Sequence, residues 1–174
     1  MRIKYASFLI VLCFLTTGCY ATITGAVVNA ETGEPIEGAV VLVEWTKTKG
    51  LPGMVYHEVY KIIEVETDKD GKFTLSGTFS PFVNHPDVVV YKAGYVAWRN
   101  DFIFPGWKKR TEFKYQNNQI VKLEKWKEGY SYEEHHSFMT YGIMGDSLDK
   151  TPKFSKAASE ESKKAQQEVN KKKR

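Results

Sequence analysis

The chain has 174 residues, with 25 lysines and arginines against 21 aspartates and glutamates. This length suits one domain with a hydrophobic core and some appendages, and a second independent domain is not expected. Residues 150–174 hold nine basic and three acidic side chains, whereas residues 19–149 hold 14 basic and 18 acidic ones. The net positive charge is confined to this terminal segment. We therefore expect the segment to keep the chain solvated, with docking on anionic lipid or cell-wall polymer as the alternative.

The first 18 residues have the layout of a secretory signal peptide. Arg2 and Lys4 precede an apolar run over residues 6–15, which is too short to span a bilayer as a permanent helix. Residues 16–19 (TTGC) then resemble the lipobox of bacterial lipoproteins, with Thr16 at the position where leucine is usual.

The lipobox resemblance implies that Cys19 is lipidated and becomes the N-terminus after cleavage. Cys13 lies in the cleaved segment, so Cys19 is expected to be the sole cysteine of the mature chain, and no intramolecular disulfide is possible. Several acyl chains together hold a protein firmly on a membrane. Tyr20 stands where an aspartate would signal inner-membrane retention, so we expect an outer-membrane location, and export makes nucleic acid an unsuitable partner.

Stretches with β-strand patterns alternate with turn-forming residues. Residues 88–91 (VVVY) form an apolar run suited to a central buried strand, and residues 119–125 alternate as a half-buried edge strand does. Residues 68–71 (DKDG) predict a tight turn that joins the strands at 56–67 and 72–75 into a hairpin. The other predicted strands cover residues 21–28, 39–45 and 95–104, with a loop over 46–53. The pattern predicts an all-β fold, an antiparallel β-sandwich of about seven strands, because each sheet must cover one apolar face.

Four blocks of sequence resemble the carboxypeptidase regulatory-like domain, a transthyretin-like β-sandwich. They are residues 25–27 (GAV), 32–40 (TGEPIEGAV), 67–73 (TDKDGKF) and 91–95 (YKAGY). The resemblance covers residues 23–125 and implies the same fold, but it implies little about chemistry, because function depends on the site and not on the fold. The residues also make structural sense by themselves. Phe73 and Tyr95 can fill the space between two sheets, and Gly71 can take a left-handed conformation in the turn.

The organisation expected from these observations has four parts: a signal peptide (1–18), the β-sandwich (19–125), an aromatic and charged extension (126–153) and a basic tail (154–174). The apolar residues of the extension have no clear period, so its sequence predicts neither a helix nor a strand. The tail favours helix formation but almost lacks an apolar stripe, so it predicts a frayed helix or a disordered tail.

A weak metal-site pattern lies in the extension. Glu133 and His136 have the Glu-x-x-His spacing that places both side chains on one helical face, and Glu134 and His135 add further possible ligands. A di-metal site needs a second such motif with more acids, so no metal and no cofactor are predicted. A small metal-binding protein or hydrolase that uses Glu133, His135 and His136 is kept as an alternative function.

Three tryptophans are weak candidates for ligand binding, because an exposed aromatic ring can stack on a sugar ring. They are Trp98, Trp107 and Trp126, of which Trp107 lies in the turn-like stretch 104–109 (FPGWKK). Packing in a core is the more common role of such residues. A carbohydrate-binding surface module is therefore a second alternative.

Known catalytic motifs do not occur in the sequence. It lacks the His-x-x-Glu zinc motif of metallocarboxypeptidases, the terminal Tyr-Arg-Gly-Ser of transthyretin-like hydrolases, a Gly-x-Ser-x-Gly elbow and a phosphate loop. The prediction is a lipid-anchored envelope protein that is not an enzyme and acts as a binding or structural module. Its expected partners are the membrane, through Cys19, and an envelope protein or glycan that the sequence does not identify.

Overall fold

The computed structural model describes residues 22–173 except residues 79, 81 and 115. Within these residues, nine strands come first and three helices follow. The strands are β1 (Thr22–Asn29), β2 (Val40–Leu51), β3 (Met54–Glu66), β4 (Lys72–Ser76), β5 (Asp87–Tyr91), β6 (Trp98–Arg99), β7 (Phe102–Ile103), β8 (Lys108–Lys109) and β9 (Gln119–Leu123). The helices are α1 (Tyr132–Thr140), α2 (Gly145–Leu148) and α3 (Pro152–Lys172). The predicted predominance of β structure with a C-terminal helical extension is confirmed.

The longer strands form two sheets. One sheet has the order β4-β1-β9 and the other the order β3-β2-β5-β6, while β7 and β8 pair as a separate ribbon. All pairs are antiparallel except β1 with β9, where Ala26 lies opposite Ile120 in a parallel register. The expected wholly antiparallel arrangement is therefore wrong at this pair. The chain reaches the free edge of β1 after passing through the other sheet, and such a crossover can bring a strand back in the same direction.

Both sheets contribute side chains to one hydrophobic core, called core 1 below. Its buried members are Val27, Phe73, Leu75, Val121 and Leu123 from the three-stranded sheet and Val41, Val43, Trp45, Val88, Val90 and Trp98 from the four-stranded sheet. Tyr95 packs against it, so the predicted core positions of Phe73 and Tyr95 are confirmed.

The four-stranded sheet is buried on its other face as well. The alternate residues of β2 and β5 join side chains of the helices in a second core, called core 2, whose members include Val40, Leu42, Val89, Tyr91, Phe138, Met139, Phe154 and Ala157. β5 lies between β2 and β6, which confirms the central strand predicted at residues 88–91. A strand that is apolar on both faces requires a cover on each, and the helices supply the second one.

β2 and β3 form a hairpin that is longer than predicted. Their pairing extends to Leu51 opposite Met54, with a bulge between Trp45 and Thr46. The predicted loop over residues 46–53 is therefore wrong. Gly50 explains the difference, because a Cβ at this position would lie 2.0 Å from the carbonyl oxygen of Met54. This glycine permits close pairing next to a two-residue turn and does not mark a loop.

The turn predicted at residues 68–71 is present, but it does not close a hairpin. The carboxylate of Asp68 accepts the backbone N–H groups of Asp70 and Lys72 at 2.9 and 2.8 Å, and Gly71 has a φ of +71°. β3 pairs with β2, whereas β4 pairs with β1. The predicted hairpin is wrong, because the turn carries the chain from one sheet to the other.

The C-terminal segment forms a packed helix and not the frayed or disordered tail that its hydropathy predicts. Its buried residues, Phe154, Ala157, Ala158 and Glu161, have the i, i+3, i+4, i+7 spacing of one helical face. Two of them are small and one is acidic, so they do not form an obvious apolar stripe. None of the helices in residues 22–173 combines the length and the apolar character that a bilayer crossing requires.

Candidate functional site

An apolar pocket of about 650 Å³ opens between the two sheets. It lies at the end of core 1 where β1, β5 and β9 begin and β4 ends, and its walls include Ile23, Val43, Leu75, Val88, Trp98 and Phe113. Exposed residues such as Thr22 and Asn117 contribute to its lining. The volume is within the range of small-ligand sites, which are also lined mainly by apolar side chains.

Two local features form the wall of the pocket. Gly25 pairs with Phe73 across β1 and β4, and a Cβ at Gly25 would lie only 2.4 Å from the Phe73 ring. Glycine at this position therefore lets the ring lie directly against β1. On the other sheet, the Trp98 and Phe113 rings meet edge to face with centroids 5.3 Å apart, and the Arg110 guanidinium lies 4.8 Å from the Trp98 ring.

The pocket has few polar groups, and one of them is a buried acceptor without a partner among the described residues. None of the described lining residues is ionisable. The side-chain oxygen Oε1 of Gln119 is buried and has no hydrogen-bond partner within the described part of the chain. A buried acceptor without a donor is unfavourable, so an N–H or O–H group of a bound molecule would stabilise it. The lining therefore suits a mainly apolar molecule with one donor.

The three candidate tryptophans lie in two aromatic groups. Trp98 pairs with Phe113, whereas Trp107 and Trp126 are linked through Phe138 and Phe104. Trp98 is buried in the wall of the pocket. Trp107 is 36% exposed and packs edge to face on Phe102 and Phe138. Trp126 stacks on Tyr132 with ring centroids 4.4 Å apart. The structure therefore assigns packing contacts to each ring and does not bring the three together on one surface.

The metal candidates are also separated. His135 is fully buried, and its Nε2 accepts the backbone N–H of Ala97 at 2.8 Å. The ring is then the neutral tautomer that carries its proton on Nδ1, and it donates to Oε2 of Glu161 at 3.1 Å. Both ring nitrogens are thus engaged within the protein. Glu133 and His136 line a different cavity between α1 and α3, and no group of three potential ligands was found among the described residues.

Glu161 is the buried functional group that the sequence did not reveal. Its Oε1 accepts the Tyr91 hydroxyl at 2.7 Å and Lys164 Nζ at 2.8 Å, and its Oε2 accepts the His135 N–H. Burial would raise the pKa of Glu161, but the hydrogen bonds from His135, Lys164 and Tyr91 outweigh burial and lower the pKa to about 2. Burial, reinforced by the Glu161 carboxylate, raises the pKa of Tyr91. Glu161 is one of three glutamates in a lysine-rich segment, and nothing in the sequence distinguishes it from its neighbour Glu160. The network ties α3 to β5 and α1.

A second cavity, of about 830 Å³, lies beside the β2–β3 hairpin and brings together two histidines that are distant in sequence. His57 and His85 both line it, with Asp87 nearby. The side chain of Asn84 donates to Thr46 at 3.1 Å and holds the loop before β5 against the hairpin. Burial raises the pKa of Asp87.

Cys19, the predicted lipidation residue, lies outside the described residues, which begin at Thr22.

No protein-family model and no curated protein matches the chain. Among solved structures, it is similar to a streptococcal ancillary pilin (TM-score 0.31, 18% identity, 60% of this chain and 29% of that one). It is similar to the group B streptococcus pilus 2b backbone protein (0.38, 19%, 62% and 42%). A third similar structure is the C-terminal domain of the shaft pilin SpaA from Lactobacillus rhamnosus GG (0.33, 17%, 60% and 97%). The chain spans less than half the length of the first two. TM-scores below 0.5 do not assign a function to the chain.

Proposed function

We propose that this chain is a lipid-anchored bacterial envelope protein, in which a β-sandwich of the carboxypeptidase regulatory-like type acts as a non-enzymatic binding module. The observation that carries the binding function is the apolar pocket of about 650 Å³ between the sheets. A well-packed core leaves few voids larger than a water molecule, so a space of this size and lining is suited to a ligand. The ligand class is a mainly apolar molecule with one hydrogen-bond donor.

The non-enzymatic assignment is supported by the engagement of the buried ionisable groups. Glu161 and His135 bond to each other, to Tyr91 and to the Ala97 backbone, and neither is among the residues that line the apolar pocket. A general acid or base must reach a substrate within hydrogen-bond distance. The described lining of the pocket offers amides and one hydroxyl, which suit recognition more than proton transfer.

The envelope location is supported by the lipobox-like residues 16–19, and Tyr20 favours the outer membrane. The experiment is metabolic labelling with palmitate, with and without globomycin, on wild type and Cys19→Ser, followed by membrane fractionation. We expect label for wild type alone, with the precursor accumulating under globomycin, and stronger membrane association for wild type than for Cys19→Ser. Label on neither protein, or equal label on both, would reject the anchor.

The pocket requires a separate test that does not depend on lipidation. The mature Cys19→Ser chain is titrated with N-phenyl-1-naphthylamine, an apolar probe with one N–H donor whose fluorescence rises in an apolar site. Thr22→Trp places a large ring in the pocket lining at the start of β1, and Thr32→Trp is the matched control in the exposed turn at the other end of β1. We expect a rise in fluorescence that Thr22→Trp abolishes and Thr32→Trp retains. Equal binding by both variants, or no binding by the parent chain, would reject the pocket as a ligand site.

A further inference from the structure

The β2–β3 hairpin projects from the body of the protein. Every residue from Thr48 to Glu58 is exposed, on both strands and in the turn. Lys49 and Glu58 form an ion pair across the hairpin, but both side chains are about half exposed, so the pair adds little stability. A two-stranded ribbon without a cover is marginally stable in water. This part of the hairpin is therefore suited to contact something outside the described chain.

The end of this hairpin is apolar. Leu51, Met54, Val55 and Tyr56, called the apolar tip, are 70%, 74%, 61% and 58% exposed. Phe82, in the loop that Asn84 holds against the hairpin, is 81% exposed. Single exposed apolar residues are normal on protein surfaces, but neighbouring ones mark interaction sites. The apolar tip is thus a candidate interface.

The strand register places the apolar tip at the same end of the molecule as the start of the described chain. Thr22 pairs with Ser76, and Lys61 Nζ donates to the carbonyl oxygen of Ser76 at 2.8 Å, so Thr22 and Lys61 lie at a similar level. β3 extends seven residues from Lys61 back to Met54, which is about 23 Å at 3.3 Å per residue. Cys19 precedes Thr22 by three residues and can reach about 10 Å from it. An anchor at Cys19 therefore leaves the apolar tip able to reach the same surface.

We propose that the apolar tip inserts into the bilayer that holds the lipidated Cys19. This inference rests on the proposed lipid anchoring and deepens it, because it defines how the domain is oriented on the membrane. The side chains suit an interface: aliphatic residues lie at the turn, and Tyr56 lies two residues from Met54. Tyr60 is four residues farther along β3, toward the body of the protein, and Lys47 Nζ lies 3.8 Å from its ring. Tyrosine is enriched where apolar and aqueous regions meet, and lysine is attracted to anionic lipid. With both the lipid anchor and the apolar tip in the bilayer, the end of core 1 where the apolar pocket opens faces the membrane.

The test measures membrane depth at two positions of the full mature chain. An environment-sensitive NBD dye is attached to Met54→Cys in the apolar tip, or to Lys69→Cys in the exposed turn at the opposite end of the molecule. The lipidated protein is incorporated into vesicles of phosphatidylethanolamine and phosphatidylglycerol that contain a nitroxide on the upper acyl chain. We expect nitroxide quenching and a blue shift for Met54→Cys alone. Quenching by aqueous iodide at both positions, without nitroxide quenching at Met54→Cys, would overturn the proposal.

A second version separates this inference from the lipid anchor. The Cys19→Ser mature chain, with an N-terminal histidine tag, is held on vesicles that contain a nickel-chelating lipid. Nitroxide quenching at Met54→Cys in this form supports tip insertion even if palmitate labelling has failed, and its absence contradicts insertion even if labelling has succeeded.

Without the tag, replacing Leu51 and Met54 by asparagine should weaken vesicle binding at least ~10-fold, since each apolar side chain contributes more than this when buried. Ile120→Asn, at a position 58% exposed on β9, should leave binding unchanged. An equal loss from Ile120→Asn would overturn the assignment to the tip.

Discussion

Glu161→Gln removes a buried charge that contacts core 2 through Tyr91, while it keeps the shape of the side chain. The amide can still accept from Tyr91 and Lys164 through its oxygen, but its NH₂ group must then face the N–H of His135. The histidine cannot exchange its tautomer without placing a second N–H against the Ala97 backbone N–H. The substitution therefore creates a contact between two donors in a site that water does not reach.

The contribution of Glu161 to the free energy of unfolding follows both from its pKa and from its hydrogen bonds. The pKa of Glu161 falls from the ordinary value of 4.5 to about 2, which at about 1.4 kcal/mol per pH unit corresponds to ~3 kcal/mol of stability at neutral pH. A buried donor left without a partner costs ~1–3 kcal/mol, and in Glu161→Gln the N–H of His135 is the donor that loses its acceptor. We therefore expect Glu161→Gln to lower the free energy of unfolding by ~2–3 kcal/mol.

The pH dependence has a definite sign. Because the pKa of Glu161 is lower in the folded chain than in the unfolded chain, its contribution is complete above about pH 4.5 and is lost as the pH falls toward about 2. Urea unfolding followed by tryptophan fluorescence gives the difference between wild type and Glu161→Gln at neutral pH and at about pH 3, where the difference should fall by half or more.

Glu160→Gln is the matched control, because Glu160 is the exposed neighbour on the same helix. It should change the free energy of unfolding by less than ~0.5 kcal/mol. If Glu161→Gln matched this control at neutral pH, or if its effect were the same at both pH values, the buried network would not stabilise the fold as argued.

Three further substitutions test the fold. Phe154→Ala should cost ~3–5 kcal/mol in urea unfolding, because the ring is fully buried in core 2; a loss under ~1 kcal/mol would show that α3 is not docked. Gly71→Ala should lower the melting temperature more than Gly33→Ala, because a Cβ at Gly71 would lie 2.5 Å from the carbonyl oxygen of Val27 while Gly33 has open space, although both have positive φ. Equal melting temperatures would refute the close approach. Burial raises the pKa of Glu44, so Glu44→Gln should raise the melting temperature at neutral pH and lose this advantage below about pH 4.5; a pH-independent effect would contradict this cause.

The sequence by itself determined the features that depend on local chemistry. Alternating and continuous apolar runs identified most strands, including the central strand β5, because side-chain period follows directly from backbone conformation. The turn at residues 68–71 followed from Asp68 and Gly71, whose side-chain acceptor and positive φ are local properties. The lipobox-like residues likewise depend on adjacent positions alone, and lipidation of Cys19 stays a prediction.

The tertiary structure decided the features that depend on distant partners. The turn at residues 68–71 joins two sheets, and β9 lies parallel to β1, because pairing is selected by the neighbouring strands and not by the turn itself. The helix at Pro152–Lys172 is buried along two alanines, one phenylalanine and Glu161. Hydropathy could not identify this face as buried, because a glutamate is buried at low cost only when hydrogen-bond donors meet its carboxylate. These donors come from Tyr91 and His135, which are 70 and 26 residues away in the sequence. The pocket has the same origin, because its walls come from strands of both sheets that meet only in the folded chain.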